Sequence, residues 1–425
     1  GGSLRVSSIE TVLGSAGTAA VTYTGGGELV VSNVETVAGG SGIDTVITLS
    51  PGTLAVSLVE NVIGTSGTDV IHALSAGTLG ISAIESVIGS GGTDIVAMTD
   101  GGALATSAVE TVFGTADADV LTLLGGGSTR LQLIETALGT AAVDAVTMLA
   151  GGELVVSAVD TVTGSTDVDT VTLLGAGATA LSRVETLLGS AGTDVATLLG
   201  AADIAVSRVE TVLGSSGVDS ASMLSAGPLA VSRMETVVGT ESLATDDVLT
   251  LLGGGTTTIT SIETVLGSTG TDTVSMIASG DLAVSGVETL TGGADTDVVT
   301  LLGATTPRAS PVETLLGSTG TDIVTIAGGG ELATSGIETV LGGTGEDSVT
   351  MLDGGNLAVS SVETVVGAAS GSTDDALRLL NTGTTSLSAI ESVVGSTGVE
   401  TIVLLGATAI SMSAIDTLIG SEGTD

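Results

Sequence analysis

Nine residues after most members of a long glutamate series stands an aspartate, and one such pair follows the next at 25 residues. The aspartates are Asp44, Asp69, Asp94, Asp119, Asp144, Asp169, Asp194, Asp219, Asp247, Asp272, Asp297, Asp322, Asp347, Asp375 and Asp425, with Ala19 and Glu400 as the two departures. Were 25 residues one coil, neighbouring carboxylates would stack near 5 Å apart and repel by about 1 kcal/mol per pair even in water. A column of this kind has to recruit cations or hydrogen-bond donors, or splay into solvent. The glutamate series runs from Glu10 to Asp416, seventeen members long, with two steps of 28 among steps of 25. In an outward row at a strand start, these carboxylates are expected to accept from threonine hydroxyls or turn amides.

Other chemistry lacks its parts. His72 is the only histidine, there is no Cys, and the seven cationic residues are all Arg. A nucleophile would have to be Ser or Thr with no histidine base beside it. Paired carboxylates recur in every phrase, so none is singled out for acid–base work, and an enzyme is not expected. With 48 acids and a net charge of −41, nucleic acid is excluded as a partner, because phosphate binding needs Lys and Arg. Arg183, Arg208 and Arg233 each stand two residues before a glutamate and are expected to form a short basic row that relieves local charge. No apolar run approaches the ~18 residues of a membrane span.

These residues are carried by one phrase written seventeen times, as in V-E-T-V-L-G-S-S-G-V-D-S-A-S-M-L-S-A-G-P-L-A-V-S-R from Val209. Three β-prone runs alternate with Gly-rich turns, and none is long enough for a helix. The first ends at a Gly four residues after the acid in every phrase, from Gly14 to Gly420, which marks a corner needing positive φ or close backbone approach. The second alternates in period two, with Val171 and Leu173, or Val146 and Met148, pointing inward and Thr172 or Thr147 outward. The third, L-A-V-S, turns Leu29 and Val31, or Leu229 and Val231, inward. The methionines Met98, Met148, Met223, Met276 and Met351 read as filling for a narrow aliphatic core.

Units of this size that bury their apolar face only against their neighbours make a solenoid. The expected fold is all-β: a parallel β-solenoid of about seventeen 25-residue coils, three short strands and three sheets per coil, forming one continuous domain over residues 1–425. At about 4.8 Å per coil it would be roughly 80 Å long. The two three-residue insertions, after Gly239 and after Gly367, fall in the same turn, where a solenoid tolerates extra chain.

The turns G-T-S-G-T-D at Gly64, G-S-G-G-T-D at Gly89 and G-S-T-G-T-D at Gly267 resemble the hemolysin-type, or RTX, nonapeptide G-G-x-G-x-D-x-U-x of bacterial secreted proteins. The resemblance implies Ca²⁺ as a cofactor, held by turn carbonyls and by Asp44, Asp69, Asp94, Asp119, Asp169, Asp194, Asp219, Asp272, Asp297, Asp322 and Asp347. The pattern departs from the family in three ways. The second Gly is usually Ser or Thr, the full pair occurring at Gly39-Gly40, Gly292-Gly293 and Gly342-Gly343. The family sets two such turns in an 18-residue coil where this chain has one in 25. The opposite corner lacks a regular Asp. The alternative is an Asp that caps its own turn by local hydrogen bonds.

The expected function is that of a non-enzymatic, extracellular structural protein of a bacterium, a stiff rod in a surface filament, layer or adhesin stalk. Its partners would be identical chains, end to end or side by side. A calcium-binding repeat region of a larger secreted enzyme or toxin is the second reading, and an ice-binding or adhesive flat face built on the outward Thr column is the third.

Overall fold

In the computed structural model, which describes residues 2–241, 247–368, 375–406 and 409–422, the chain is all-β, with fifty short strands and no helix among the described residues. It divides into two compact units, Gly1–Val209 and Glu210–Asp425, each a parallel β-solenoid. The expected three strands per phrase are present. In one phrase they are the long strand Gly52–Ser57, the short strand Asn61–Ile63 and the aspartate strand Asp69–Ala73.

The coil differs from the expected one. Within each unit the strands pair in parallel with the strand two further along the chain, not three: Gly52–Ser57 with Asp69–Ala73, and Asp69–Ala73 with Ser86–Ile88. The sheets therefore number two, and a coil holds two strands and about 17 residues, giving about 24 coils where seventeen were expected. With three strands per phrase and two per coil, each phrase winds one and a half turns. The long strand Gly27–Ser32 accordingly lies in one sheet, and its copy Gly52–Ser57 lies in the other. Only every second phrase returns to the same sheet and the same edge, three coils and about 14 Å further on.

The alternation of side chains is as the sequence implies. Val171, Val146 and Val274 are fully buried, as are Leu29, Val31, Leu229 and Val231. Met148, Met223 and Met351 are buried beside them, while Met98 and Met276 are half-buried. Each fully buried Leu, Ile or Val contributes about 1.5–3 kcal/mol of transfer free energy. Four phrases put Thr at the first inward position of the long strand, and its hydroxyl is satisfied: Thr129 donates to the Val109 carbonyl at 3.2 Å and Thr257 to that of Met234 at 3.1 Å.

The corner glycine works by close approach and not by positive φ. A Cβ on Gly14, Gly39, Gly64 and their copies as far as Gly395 would lie 1.7 to 2.0 Å from a backbone carbonyl oxygen of the next coil. That oxygen belongs to the residue two before the glutamate, and, Pro311 excepted, it is this residue that takes positive φ: Leu58 at 53°, Ala108 at 52°, Leu133 at 55°, Arg208 at 53°. Side chains at that position vary freely because the αL backbone turns them outward, so composition carried no signal of it. Arg183 and Arg208 both sit there, following strands of opposite sheets. They lie on opposite edges and do not form the expected basic row.

Candidate functional site

The most regular polar construction in the molecule is the aspartate turn. It begins at the short strand's end, where the glycine just described brings two coils together, and closes at the first residue of the aspartate strand or the residue just before it. Asp44, Asp69, Asp94, Asp119, Asp169, Asp194, Asp219, Asp272, Asp297, Asp322 and Asp347 all occupy this place, none more than 3% exposed. The half-turn screw of the phrase keeps them from stacking on one another. Asp44 and Asp94 share an edge but stand three coils apart, about 14 Å, where unit charges in water repel by only about 0.3 kcal/mol before screening. The 5 Å column expected from a 25-residue coil does not form.

Each carboxylate is instead enclosed by donors. Asp69 Oδ2 accepts the Thr65 amide at 2.7 Å and the Thr65 hydroxyl at 2.8 Å, and Oδ1 accepts the Gly52 amide of the preceding coil at 3.1 Å. Asp119 repeats the set with Thr115 (2.6 and 3.0 Å) and Gly102 (2.9 Å). Ser190 serves Asp194, Ser268 serves Asp272 and Ser318 serves Asp322 in the same way. The three-residue insertions, whose residues 242–246 and 369–374 lie outside the described residues, leave the cap intact. Thr240 still donates amide and hydroxyl to Asp247, and Ala368 its amide to Asp375. Asp425 also lies outside the described residues.

The glutamate one coil further on completes the turn. The Asp69 amide donates to Glu85 Oε2 at 2.7 Å, that of Asp119 to Glu135 at 2.7 Å and that of Asp272 to Glu288 at 2.8 Å. Turn amides are thus the glutamates' partners, as the spacing suggested. At the chain's exceptional phrase the two acids exchange: Glu400 is buried in the aspartate's place, contacted by the Ser396 hydroxyl, and its amide donates to Asp416 Oδ2 at 3.0 Å. The swap keeps the summed side-chain length of the pair.

Not every oxygen is met. Oδ1 of Asp44, Asp144, Asp169, Asp272, Asp347 and Asp375 is buried without a hydrogen-bond partner. Around Asp44, Asp144 and Asp272 the glycine amide that could have served it donates to a carbonyl instead, Gly27 to Ile43, Gly127 to Val143 and Gly255 to Thr271. Burial pushes the carboxyls of Asp44, Asp347 and Asp375 above the ordinary 3.8, and Glu60, Glu363 and Glu391 add repulsion; the turn amides of Gly40, Gly343 and Ala368 oppose it, as do, more weakly, the Gly330 amide at Asp347 and the Gly355 amide at Asp375. A native value above the unfolded one means that stability is fully present below the ordinary aspartate value and is lost as pH rises through the native value. The melting temperature is therefore expected to fall as pH is raised from about 4 toward neutrality. A pH series of thermal melts checks this, and a melting temperature climbing over that interval would contradict it.

For calcium, the arrangement fits poorly. Ca²⁺ takes six to eight oxygen ligands, whereas Oδ2 here faces N–H and O–H donors. Among the described residues no three acidic or histidine side chains converge as a ligand set. Shallow depressions recur at equivalent corners, beside Asn33–Glu35, Leu58–Glu60 and Gly336–Glu338. His72 is half-exposed on a strand, paired with Ala55 and Ile88. No family model, no curated protein and no solved structure matches this chain.

Proposed function

We propose that this chain is a non-enzymatic structural repeat protein, a stiff β-solenoid that works outside a bacterial cell in a surface filament, layer or stalk. One observation carries the reading: the same turn, the same glycine contact and the same groove recur from phrase to phrase. Repetition of this kind suits mechanical extension and gives no phrase a privileged chemistry. The extracellular bacterial setting rests on the likeness of the turns to those of secreted RTX proteins. Small-angle scattering of the full chain is expected to give the distance distribution of an elongated particle. A compact profile would defeat the reading, as would a hydrolytic activity abolished by substituting a single carboxylate.

The partner we propose is a second copy of the chain, laid side by side. The clamped acids sit at the edges, while the sheet faces carry mostly small hydroxyl and aliphatic side chains, with Glu28, His72, Arg130 and Glu153 among them. One outward column of the first unit reads Ala103, Val120, Thr136, Val155, Thr172, Leu188, Ser207 across seven successive strands. Because successive phrases alternate between sheets, both faces of a unit carry the same chemistry, and lateral packing through them need not stop at a pair. A face about 17 Å wide and 60 Å tall approaches 1,000 Å², enough for a standard interface when two such faces meet. Introducing Val155→Lys with Thr172→Lys is expected to reduce side-by-side assemblies in electron micrographs without altering the circular dichroism of the monomer. Unchanged assembly would rule this face out.

A further inference from the structure

We infer that the aspartate turns of this chain are closed without calcium, a Ser or Thr hydroxyl doing the work that an ion does in the turns they resemble. The inference stands whether or not the solenoid is structural, since it concerns how each turn is held.

The hydroxyl belongs to the residue after the corner glycine, the position where the resembling motif has its second Gly. In eleven phrases that residue is Ser or Thr and its hydroxyl reaches the buried acid, from Thr65 at 2.8 Å to Ser318 at 3.0 Å. In most of them the same oxygen also accepts the amide two residues on, as Thr65 does from Gly67 at 3.0 Å and Ser215 from Gly217 at 2.9 Å. The hydroxyl thus links the turn's far limb to the carboxylate, and the residue's own amide meets the same Oδ2. A cation approaching that oxygen would have to displace two donors, each worth more to an ionised acceptor than to a neutral one.

The chain contains its own controls. Gly40, Gly293, Gly343 and Ala368 stand in the hydroxyl's place and give only an amide to Asp44, Asp297, Asp347 and Asp375. Among these, Asp44, Asp347 and Asp375 also keep a buried Oδ1 with no partner, and theirs are the carboxyls raised by burial. At Asp297 the Gly280 amide fills that role at 3.2 Å. The corner beneath explains the glycines: a Cβ at Gly40 would come within 3.0 Å of the Tyr23 carbonyl oxygen, and one at Gly343 within 2.7 Å of two carbonyl oxygens. Ala368 already carries a Cβ, so a hydroxyl can be added there directly.

The test uses the full chain, followed by thermal melting after exhaustive chelation and again with millimolar Ca²⁺. The two curves are expected to coincide within about 1 °C, and metal analysis of the purified protein to find no stoichiometric Ca²⁺. Ser165→Ala with Ser190→Ala is expected to lower the melting temperature equally with and without Ca²⁺, by about 2–4 °C for each hydrogen bond of ordinary strength. Ser165→Thr should restore its share. Ala368→Ser is expected to raise the melting temperature, more at neutral pH than near pH 4, because it gives Asp375 a donor to its ionised form. A melting temperature that drops on chelation and returns with Ca²⁺ would overturn the inference. So would Ser→Ala variants that melt like the parent chain.

Discussion

Gly164→Ala is expected to cost at least about 4 kcal/mol and to unfold its surroundings, at the upper end of what a single substitution does. The added Cβ would stand 1.7 Å from the Arg183 carbonyl oxygen, 2.8 Å from its carbonyl carbon and 2.7 Å from Asp169 Oδ2. None of the three can retreat cheaply. The carbonyl belongs to a residue already held in the left-handed region at φ 54°, and the carboxylate is clamped by Ser165. Relief would require the two coils to part by more than 1 Å, which breaks the 2.8 Å bond from the Gly164 amide to Ser182 and opens the aliphatic layer beneath. Gly175→Ala is the matched control. It has nothing within 4 Å of its would-be Cβ and should change stability by no more than about 0.5 kcal/mol. Denaturant titrations of the two full-length variants separate them, and equal losses would show that the close approach is not what demands glycine.

Asp119→Ala is the second large effect, about 3–5 kcal/mol. It removes the acceptor of three donors, the Thr115 amide and hydroxyl and the Gly102 amide, in a place where the carboxylate itself is fully buried. An orphaned buried donor costs about 1–3 kcal/mol, and the hydroxyl alone can rotate to find another partner. Asp119→Asn keeps one oxygen for Thr115 but turns an amide toward the Gly102 N–H, so about half the loss is expected. Glu135→Gln should be milder still, because its carbonyl oxygen can go on accepting the Asp119 amide. Hydrogen exchange reads the same order locally: protection of the Thr115 and Gly102 amides should fall most in the alanine variant. Equal protection in all three would mean that the turn is held by its backbone alone.

Much of this molecule was legible in the residues. Period-two alternation placed Val171 and Leu173 inside and Thr172 outside, as they are. The glycine after each glutamate marked a tight corner, and the insertions after Gly239 and Gly367 marked a turn that still caps its aspartate. Less legible was the division of labour at the corner, because positive φ fell on Leu58, Ala108 and Arg208, residues with no common side chain. The hydroxyl donors were visible only as departures from a motif; their role needed the coordinates of Thr65 and Asp69 together.

The sequence alone determined that strands would stack in parallel, three to a phrase, because pattern and turn chemistry act over a few residues and repeat with the phrase. Only tertiary structure decided how many strands close a coil. The local pattern is the same whether two strands or three close a coil, since either turns the same Val, Leu and Ile inward. Two sheets about 10 Å apart are filled by one layer of aliphatic side chains, so the chain closes after two strands and the phrase advances by a half-integral number of turns. From that mismatch come the two equivalent faces, the 14 Å spacing of like acids along an edge, and the pairing of aspartates such as Asp69 and Asp119 with a glutamate one coil away.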